Sequence, residues 1–291
     1  MEVFKGNLCD KDFIKRVFTK ISKDYKEIHG VIHFAGFKAV AESIIKPLSY
    51  WRNNVIGTIN LLEIMEEFKC NNLVFSSSAT VYEPKDNLIL EESSRLGPIN
   101  PYGNSKLTVE MILKDLFKSR VKNWKFASLR YFNPIGAHSS GLLGEDPKDI
   151  PNNIFPLITN TALGIQKILK IYGNDWPTPD GTPIRDYIHV MDLAFCHIKV
   201  LEFLMNSESE YLNLNIGTGI GTSVLDLVKT FERINNVKIP FVFDKRRLGD
   251  APYVVADNSL LTSMMNINNF RSIEDMCRDG WKWKQLNPEG Y

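Results

Sequence analysis

A serine run, a tyrosine and a lysine stand at spacings that suit proton transfer. Ser76-Ser77-Ser78-Ala79-Thr80-Val81-Tyr82 ends an apolar run, and Pro101-Tyr102-Gly103-Asn104-Ser105-Lys106 follows at the head of a helical pattern. Tyrosine alone is a poor base, because its ordinary pKa is about 10. A lysine ammonium nearby favours the phenolate and lowers that value. Residues four apart share a helix face, so Tyr102 and Lys106 can meet one ligand. Ser78, at a strand end, can donate to the same substrate oxygen. Tyr-x-x-x-Lys by itself recurs by chance on helix surfaces. Its place behind a strand ending in three serines gives it weight.

The elements that must position these groups alternate. Met1–Leu8 reads as the tail of a strand. Asp10 suits the N-cap of a helix with Phe13, Ile14, Val17, Phe18 and Ile21 on one stripe. Gly30 to Gly36 holds a short buried strand, and Pro47–Phe68 is helical with Val55, Ile59, Leu62 and Met65 in line. Leu73–Phe75 is the strand that delivers Ser76–Ser78. Asn100 caps, and Pro101 opens, the helix that carries Tyr102, Lys106, Val109 and Leu113 on one face. Phe126–Phe132 is the next strand. Such alternation implies a parallel sheet with helices on both faces. Past Asn133-Pro134 the texture turns to Gly, Pro, Asn and Asp, so residues 1–132 and 133–291 are expected to form two lobes, some segments of the second packing back on the first. In the second, Tyr187–Met205 and Ser223–Ile234 read as helices around a strand at Leu214–Ile216.

Bulk properties narrow the partners. Lys+Arg 35 against Asp+Glu 34 leaves a net charge of +1 in 291 residues, which gives nucleic acid or an anionic membrane nothing to bind. No apolar run reaches the roughly 18 residues of a membrane span. Cys9, Cys70, Cys196 and Cys277 are scattered, as reduced cytoplasmic thiols are, and no His/Cys cluster suggests a metal.

Longer stretches carry a family resemblance. They include His33-Phe34-Ala35-Gly36-Phe37-Lys38-Ala39-Val40, Phe75-Ser76-Ser77-Ser78-Ala79-Thr80-Val81-Tyr82, Arg130-Tyr131-Phe132-Asn133-Pro134-Ile135-Gly136 and Arg185-Asp186-Tyr187-Ile188-His189-Val190-Met191-Asp192. The chain resembles the extended short-chain dehydrogenase/reductases and, within them, the UDP-glucose (UDP-galactose) 4-epimerases. The resemblance implies an α/β, Rossmann-type, doubly wound parallel sheet with a smaller α/β substrate-binding lobe. It implies NAD as cofactor, a UDP-sugar substrate, and a homodimer formed through helices Pro47–Phe68 and Tyr102–Lys118. Tyr102 would take the proton of the sugar 4-hydroxyl as hydride leaves C4. Ser78 would bond that hydroxyl and could relay its proton, and Lys106 would hold the nicotinamide ribose and lower the tyrosine pKa. Related 4,6-dehydratases carry acidic residues at the positions of Ala79-Thr80, which disfavours dehydration. A non-catalytic nucleotide-sugar-binding relative is the other alternative, disfavoured by intact Ser78, Tyr102 and Lys106.

The same resemblance assigns further residues. Phe34, Ala35, Gly36 and Lys38 match a loop at the NAD pyrophosphate and ribose, and Asn53 a further NAD contact. Asn54 is as suited to bracing backbone as to touching ligand. Tyr131 and Phe132 match residues beside the nicotinamide, and Asn7-Leu8 falls where the family reads the adenine amine. Asn133, Asn153, Ile154 and Tyr172 match UDP-sugar contacts, as do Arg185, Arg247 and Asp250. Two guanidinium groups suit a diphosphate on physical grounds alone. Val254 matches the position facing the sugar N-acetyl group and leaves room for UDP-N-acetyl sugars. Gly217 to Thr222 reads as a connection before a helix capped by Ser223, and His33 and His189 as structural. The family's glycine-rich fingerprint and its first two strands have no counterpart here. The expectation is a fragment of a longer chain that would not hold NAD properly alone.

Overall fold

The computed structural model describes residues 2–84, 89–119, 123–147, 151, 153–247 and 249–291. Helix α1 (Lys11–Tyr25) begins where the Asp10 carboxylate accepts from the Phe13 N–H at 2.9 Å. Strand β1 (Val31–His33) is followed by the short helices α2 (Val40–Ile45) and α3 (Pro47–Tyr50). A π-helical turn over Trp51–Ile56 then leads into α4 (Gly57–Glu67). Strand β2 (Asn72–Ser78) ends in a 3₁₀ turn at Ala79–Val81 and is followed by β3 (Ile89–Leu90). Helix α5 (Pro101–Ser119) starts at the Asn100 carboxamide oxygen, which accepts from the Gly103 N–H at 2.8 Å. Next come β4 (Lys125–Tyr131), β5 (Asn133–Ile135), α6 (Ile154–Ala162), β6 (Leu169–Tyr172), β7 (Ile184–His189), α7 (Val190–Asn206) and β8 (Glu210–Ile216). The chain closes with β9 (Gly221–Ser223), α8 (Val224–Asn235), β10 (Phe241–Asp244), β11 (Tyr253–Ala256), α9 (Ser259–Met265) and α10 (Ile273–Leu286).

These elements group into two compact units between which the chain passes repeatedly. The first comprises Met1–Glu83, Ser94–Arg130 and His197–Leu214; the second comprises Pro84–Ser93, Tyr131–Cys196 and Asn215–Tyr291. The first is built on a sheet of order β1-β2-β4-β8, with β1 parallel to β2 and Val31 opposite Leu73. Its core joins Ile14 and Phe18 of α1, Leu62 and Met65 of α4, Phe75 of β2 and Val109 and Leu113 of α5. Apolar positions at helical spacing on each helix make that possible. In the second unit the order is β3-β11-β7-β5, with β9 antiparallel to β7, and β10 pairs separately with β6. Phe155, Ile158, Leu227, Phe231 and Trp281 pack its core, the Phe231 and Trp281 rings meeting edge to face at 5.7 Å.

Several expectations change. Residues 2–9 form no strand, since an extended segment becomes a strand only through a bonded neighbour. Tyr187–Met205 is not one helix: β7 runs to His189, and α7 starts only at Val190. A buried strand and a buried helix segment carry the same continuous apolar text, and pairing with β5 and β11 decides for the strand. Within Pro47–Phe68 the π turn shifts the phase of the stripe. Thr58 is therefore buried and Ile59 exposed. Among the described residues, no helix is long and apolar enough to cross a membrane.

Candidate active site

In the first unit, β2 is buried from Leu73 to Ser78, and its end meets α5 through the Ser76 backbone and the Ser77 side chain. Each serine has its own task. The Ser76 carbonyl accepts from the Lys106 ammonium at 2.7 Å. The Ser77 hydroxyl donates to Glu110 Oε1 at 2.6 Å. Ser78 Oγ accepts from the Thr80 N–H at 3.2 Å and from the Thr80 hydroxyl at 3.0 Å. Tyr102, Lys106 and Glu110 follow one another at successive turns of one helix face, as their spacing requires. The first turn of α5 comes so close that a Cβ at Gly103 would lie 2.6 Å from the Thr80 carbonyl oxygen. Only glycine permits that approach, and it brings Tyr102 beside the turn after Ser78.

Burial sets the electrostatics. Tyr102 is pushed above its ordinary pKa by loss of solvent, and a hydrogen bond from Ser78 opposes the rise. The sequence leads one to expect lowering by Lys106. Burial raises the tyrosine pKa instead, and the group that favours the phenolate is Ser78. Lys106 itself is driven down to about 8 by burial. Its Nζ stands 5.8 Å from the Tyr102 ring centre and 4.9 Å from that of Phe75. His33, hydrogen-bonded to Thr58 at 2.8 Å, is lowered to about 3 by burial and then by Lys106. It is a neutral structural residue.

Sequence reasoning missed the anchor beneath this site. Glu110 receives Arg130 through Nε at 3.1 Å and Nη2 at 2.8 Å, and Arg130 Nη1 donates to the Tyr82 hydroxyl at 3.0 Å. Both charges are almost wholly buried. The pair bolts α5 to β2 and β4. Its only trace in the sequence is a glutamate on an otherwise apolar helix face.

The residues assigned to NAD can be tested against the geometry. Asn54, carried by the π turn, receives the Phe37 N–H at 2.8 Å and donates to the Phe37 carbonyl and to Ser105 Oγ at 3.0 Å. It braces the loop that holds Phe34, Ala35, Gly36 and Lys38, and Asn53 donates to it at 3.0 Å. A Cβ at Gly36 would lie 3.4 Å from both Lys106 Nζ and Asn54 Oδ1, so bare backbone borders the ammonium. Lys106 has three donors and, among the described residues, a single hydrogen-bond partner in Ser76, which leaves two for ligand hydroxyls. That donor set fits a ribose diol. Phe34 is exposed, its ring 4.7 Å from His197. Asn7 is engaged locally, accepting from the Cys9 N–H at 2.9 Å, and the Leu8 carbonyl accepts from Asn60 at 3.0 Å.

The second unit holds the residues assigned to the UDP-sugar. Arg185 Nη1 donates to the carbonyls of Ile184 and Ala251 at 2.9 Å, which aims the guanidinium; its Nη2 lies 3.8 Å from Asp250. Burial lowers its pKa, and Asp250 opposes that. Arg247 donates to Asp250 at 3.0 Å and lies 5.0 Å over the Tyr172 ring, with its side chain still 52% exposed. Val254 is the strand partner of Arg185 in the β7–β11 pair. Thus Tyr172, Arg185, Arg247, Asp250 and Val254 converge. Asn133 pairs with Tyr187 across β5 and β7. Asn153 precedes α6, whose first residue is Ile154, and makes one long contact, 3.5 Å, to Glu145. Tyr131 ends β4, and the Phe132 N–H donates to the Ile216 carbonyl at 3.1 Å. Asp186 went unnoticed in the sequence. It is buried and accepts from Thr218 and Gly219 N–H groups at 2.8 and 2.9 Å, so it fixes the Gly217–Thr222 connection. Ser223 then caps α8 as expected.

Comparison with known proteins agrees with this geometry. The sequence model of the NAD dependent epimerase/dehydratase family matches residues 1–217. A UDP-glucose 4-epimerase of Cyamopsis tetragonoloba is 46% identical over 287 residues, 99% of this chain and 80% of that protein. The UDP-glucose 4-epimerase of Bacillus subtilis (strain 168) is 45% identical over 288 residues, 99% of this chain and 83% of its own. The crystal structure of the Bifidobacterium longum UDP-glucose 4-epimerase in complex with NAD+ and UDP superposes with a TM-score of 0.91 at 42% identity, covering 99% of this chain and 84% of that one. With the fold, the tyrosine–lysine helix and the sequence all in agreement, the chain belongs to the NAD-dependent epimerase/dehydratase family.

Proposed function

We propose that this protein interconverts UDP-glucose and UDP-galactose by oxidising and re-reducing C4 of the sugar. The observation that carries the reading is the buried set of Tyr102, Lys106 and Ser78, held on α5 and β2 by Ser76, Ser77 and Glu110. NAD, when bound, supplies the hydride acceptor and returns the hydride, and its positive ring favours a neighbouring phenolate. Of the residues assigned to NAD, Phe34, Ala35, Gly36, Lys38 and Asn53 lie in the first unit and Tyr131 and Phe132 in the second. Tyr102 accepts the proton of the 4-hydroxyl and later gives it back. Lys106 donates to the ribose hydroxyls with the two donors that Ser76 leaves over. Arg185 and Arg247 hold the diphosphate, a bidentate task that guanidinium groups suit. Asp250 accepts from hydroxyls once an anion has taken its arginine partners. Asn133, Asn153, Ile154 and Tyr172 complete the nucleotide-sugar contacts. Because proton and hydride return to the same substrate, the reaction is an isomerisation.

Two further properties belong to the same reading. Val254 is small enough to admit an N-acetyl group, so UDP-N-acetylglucosamine and UDP-N-acetylgalactosamine are additional substrates. A homodimer through Pro47–Phe68 and Tyr102–Lys118 belongs to the same reading, supported by the exposed apolar side chains Leu48, Ile56, Ile59 and Met111 on those segments. Four free cysteines suit a cytoplasmic enzyme. The test is turnover of UDP-galactose by the purified chain supplied with NAD, with Tyr102→Phe alongside. Turnover lost with Tyr102→Phe supports the reading. UDP binding with no turnover by the unsubstituted chain favours a nucleotide-sugar-binding protein without catalysis.

A further inference from the structure

Arg246, in the second unit, precedes the diphosphate-assigned Arg247 and is held by a different set of partners. Its Nε donates to Asp175 Oδ1 at 2.7 Å, and its Nη2 donates to the Asp175 carbonyl. Its guanidinium lies over the Trp176 ring, 4.1 Å from the centroid, within the range of a cation–π contact. The Trp176 indole N–H donates to the Tyr172 carbonyl at 3.4 Å, and the Arg247 guanidinium lies over the ring of that same Tyr172. Two consecutive arginines therefore stack on two aromatic residues of one short segment. The backbones are joined as well. Strands β6 and β10 pair through Tyr172 and Asp244, and the Gly173 N–H donates to the Asp244 carbonyl at 2.8 Å. A Cβ at Gly173 would lie 2.3 Å from Trp176 Nε1 and 3.0 Å from Arg246 Cγ, so only glycine lets the indole and the arginine stem close over the chain. The Trp176 N–H donates to the Gly181 carbonyl at 3.0 Å, which ties the far side of the segment to its own turn.

We propose that Arg246 is a positioning residue for the nucleotide: clamped between Asp175 and Trp176, it fastens the segment after β10 so that Arg247 and Asp250 stand in place for the diphosphate. This rests on the UDP-sugar reading above. Arg247 must leave Asp250 to bind an anion, and its backbone needs another anchor while that exchange takes place. Arg246 supplies the anchor, because its partners, Asp175 and Trp176, are not those of Arg247. A segment ordered beforehand does not have to lose its freedom when the ligand arrives, and binding is tighter by that amount. Charge alone does not give this property. A lysine keeps the positive charge and lacks the planar fork that bonds Asp175 and lies flat on the indole. Arg246 acts through Arg247 and makes no ligand contact of its own.

Arg246→Gln, Arg246→Lys, Trp176→Leu and Trp176→Phe are made in the full chain. They are compared for UDP affinity by calorimetry and for kcat and KM with UDP-galactose. Arg246→Gln and Trp176→Leu are each expected to weaken UDP binding and raise KM about fivefold, with kcat within about twofold, as the loss of one cation–π contact implies. Arg246→Lys is as impaired as Arg246→Gln. Trp176→Phe keeps an aromatic face and stays within about twofold of the unsubstituted chain. Because the effect passes through Arg247, Arg246→Gln adds less than about twofold to the loss caused by Arg247→Met. The Asp250 N–H donates to the Arg247 carbonyl at 3.3 Å, and its hydrogen exchange rises about tenfold in Arg246→Gln. Should Trp176→Leu fail to fold, the Arg246 variants carry the test alone. Affinity fully recovered in Arg246→Lys makes Arg246 a plain positive charge beside the ligand and overturns the proposal. So do losses from Arg246→Gln and Arg247→Met that simply add. If the unsubstituted chain binds no UDP, the UDP-sugar reading fails, and exchange at the Asp250 amide still decides the role of Arg246: unchanged exchange in Arg246→Gln overturns it.

Discussion

The two units handle charge in opposite ways. In the first, Lys106, Glu110 and Arg130 lie inside the protein, each tied to fixed partners on β2, β4 or α5. In the second, Arg247 is half in solvent, and its partner Asp250 is shared with Arg185. Buried charges are costly to leave unpaired, so the first unit locks its groups in place before any ligand arrives. A solvent-exposed ion pair is worth roughly 0–1 kcal/mol, so a diphosphate can take Arg247 from Asp250 at little cost. Chemistry needs the first arrangement, since a proton transfers only over a fixed short distance. Reversible capture of an anion needs the second.

Tyr102→Phe tests the first half of this contrast most severely. It is expected to reduce kcat by about 1,000-fold and to leave UDP affinity within about twofold, measured by calorimetry. A variant with both properties unchanged would place the chemistry elsewhere. Next comes stability. Arg130→Met strands Glu110 in the core and is expected to cost about 3 kcal/mol by urea unfolding, whereas Arg247→Met costs under about 1 kcal/mol. Equal losses would erase the distinction between the units. Arg185→Lys should then weaken UDP binding about tenfold with kcat retained, since an ammonium cannot make the bidentate bond. A drop in kcat alone would contradict the assignment of Arg185 to binding.

Lys106 supplies a pH test of similar size. Its pKa falls from 10.5 to about 8 through burial. Above about 8 the ammonium is lost, and turnover falls toward tenfold per pH unit. Stability moves the other way. Between about 8 and 10.5 the unfolded chain binds the proton that the folded chain has released, so this group's contribution to stability rises with pH. Below about 8 both states hold the proton, and the contribution is constant. Activity and stability falling together across that window would mean that another group controls both. The smallest effect is at Val254. Val254→Tyr should cut turnover of UDP-N-acetylglucosamine by about fivefold relative to UDP-glucose, within the range of steric discrimination in a pocket. An unchanged ratio would show that the N-acetyl group does not meet this position.

Legibility of the fold followed the range of the forces. Helix α1 was readable because its cap, Asp10, lies three residues from the N–H that it satisfies. Helix α5 was readable for the same reason, through Asn100 and Pro101. Strand β7 was not, because Ile184–His189 becomes a strand through pairing with Asn133–Ile135 and Tyr253–Val254, far away in the chain. The π turn at Trp51–Ile56 left no local signature, and it changed which residue of that helix is buried.

By itself the sequence determined the alternating α/β order, the helix face bearing Tyr102 and Lys106, and the arginines suited to a diphosphate. Those properties depend on residue type and on spacing within one element. The tertiary structure alone decided that burial raises Tyr102 and lowers Lys106, and that Glu110 and Arg130 form one buried pair. It also decided that Thr80 occupies the acceptor sides of Ser78 and that Asn54 braces backbone. Desolvation and hydrogen-bond direction depend on everything packed around a group, and residues far apart in the chain supply that packing.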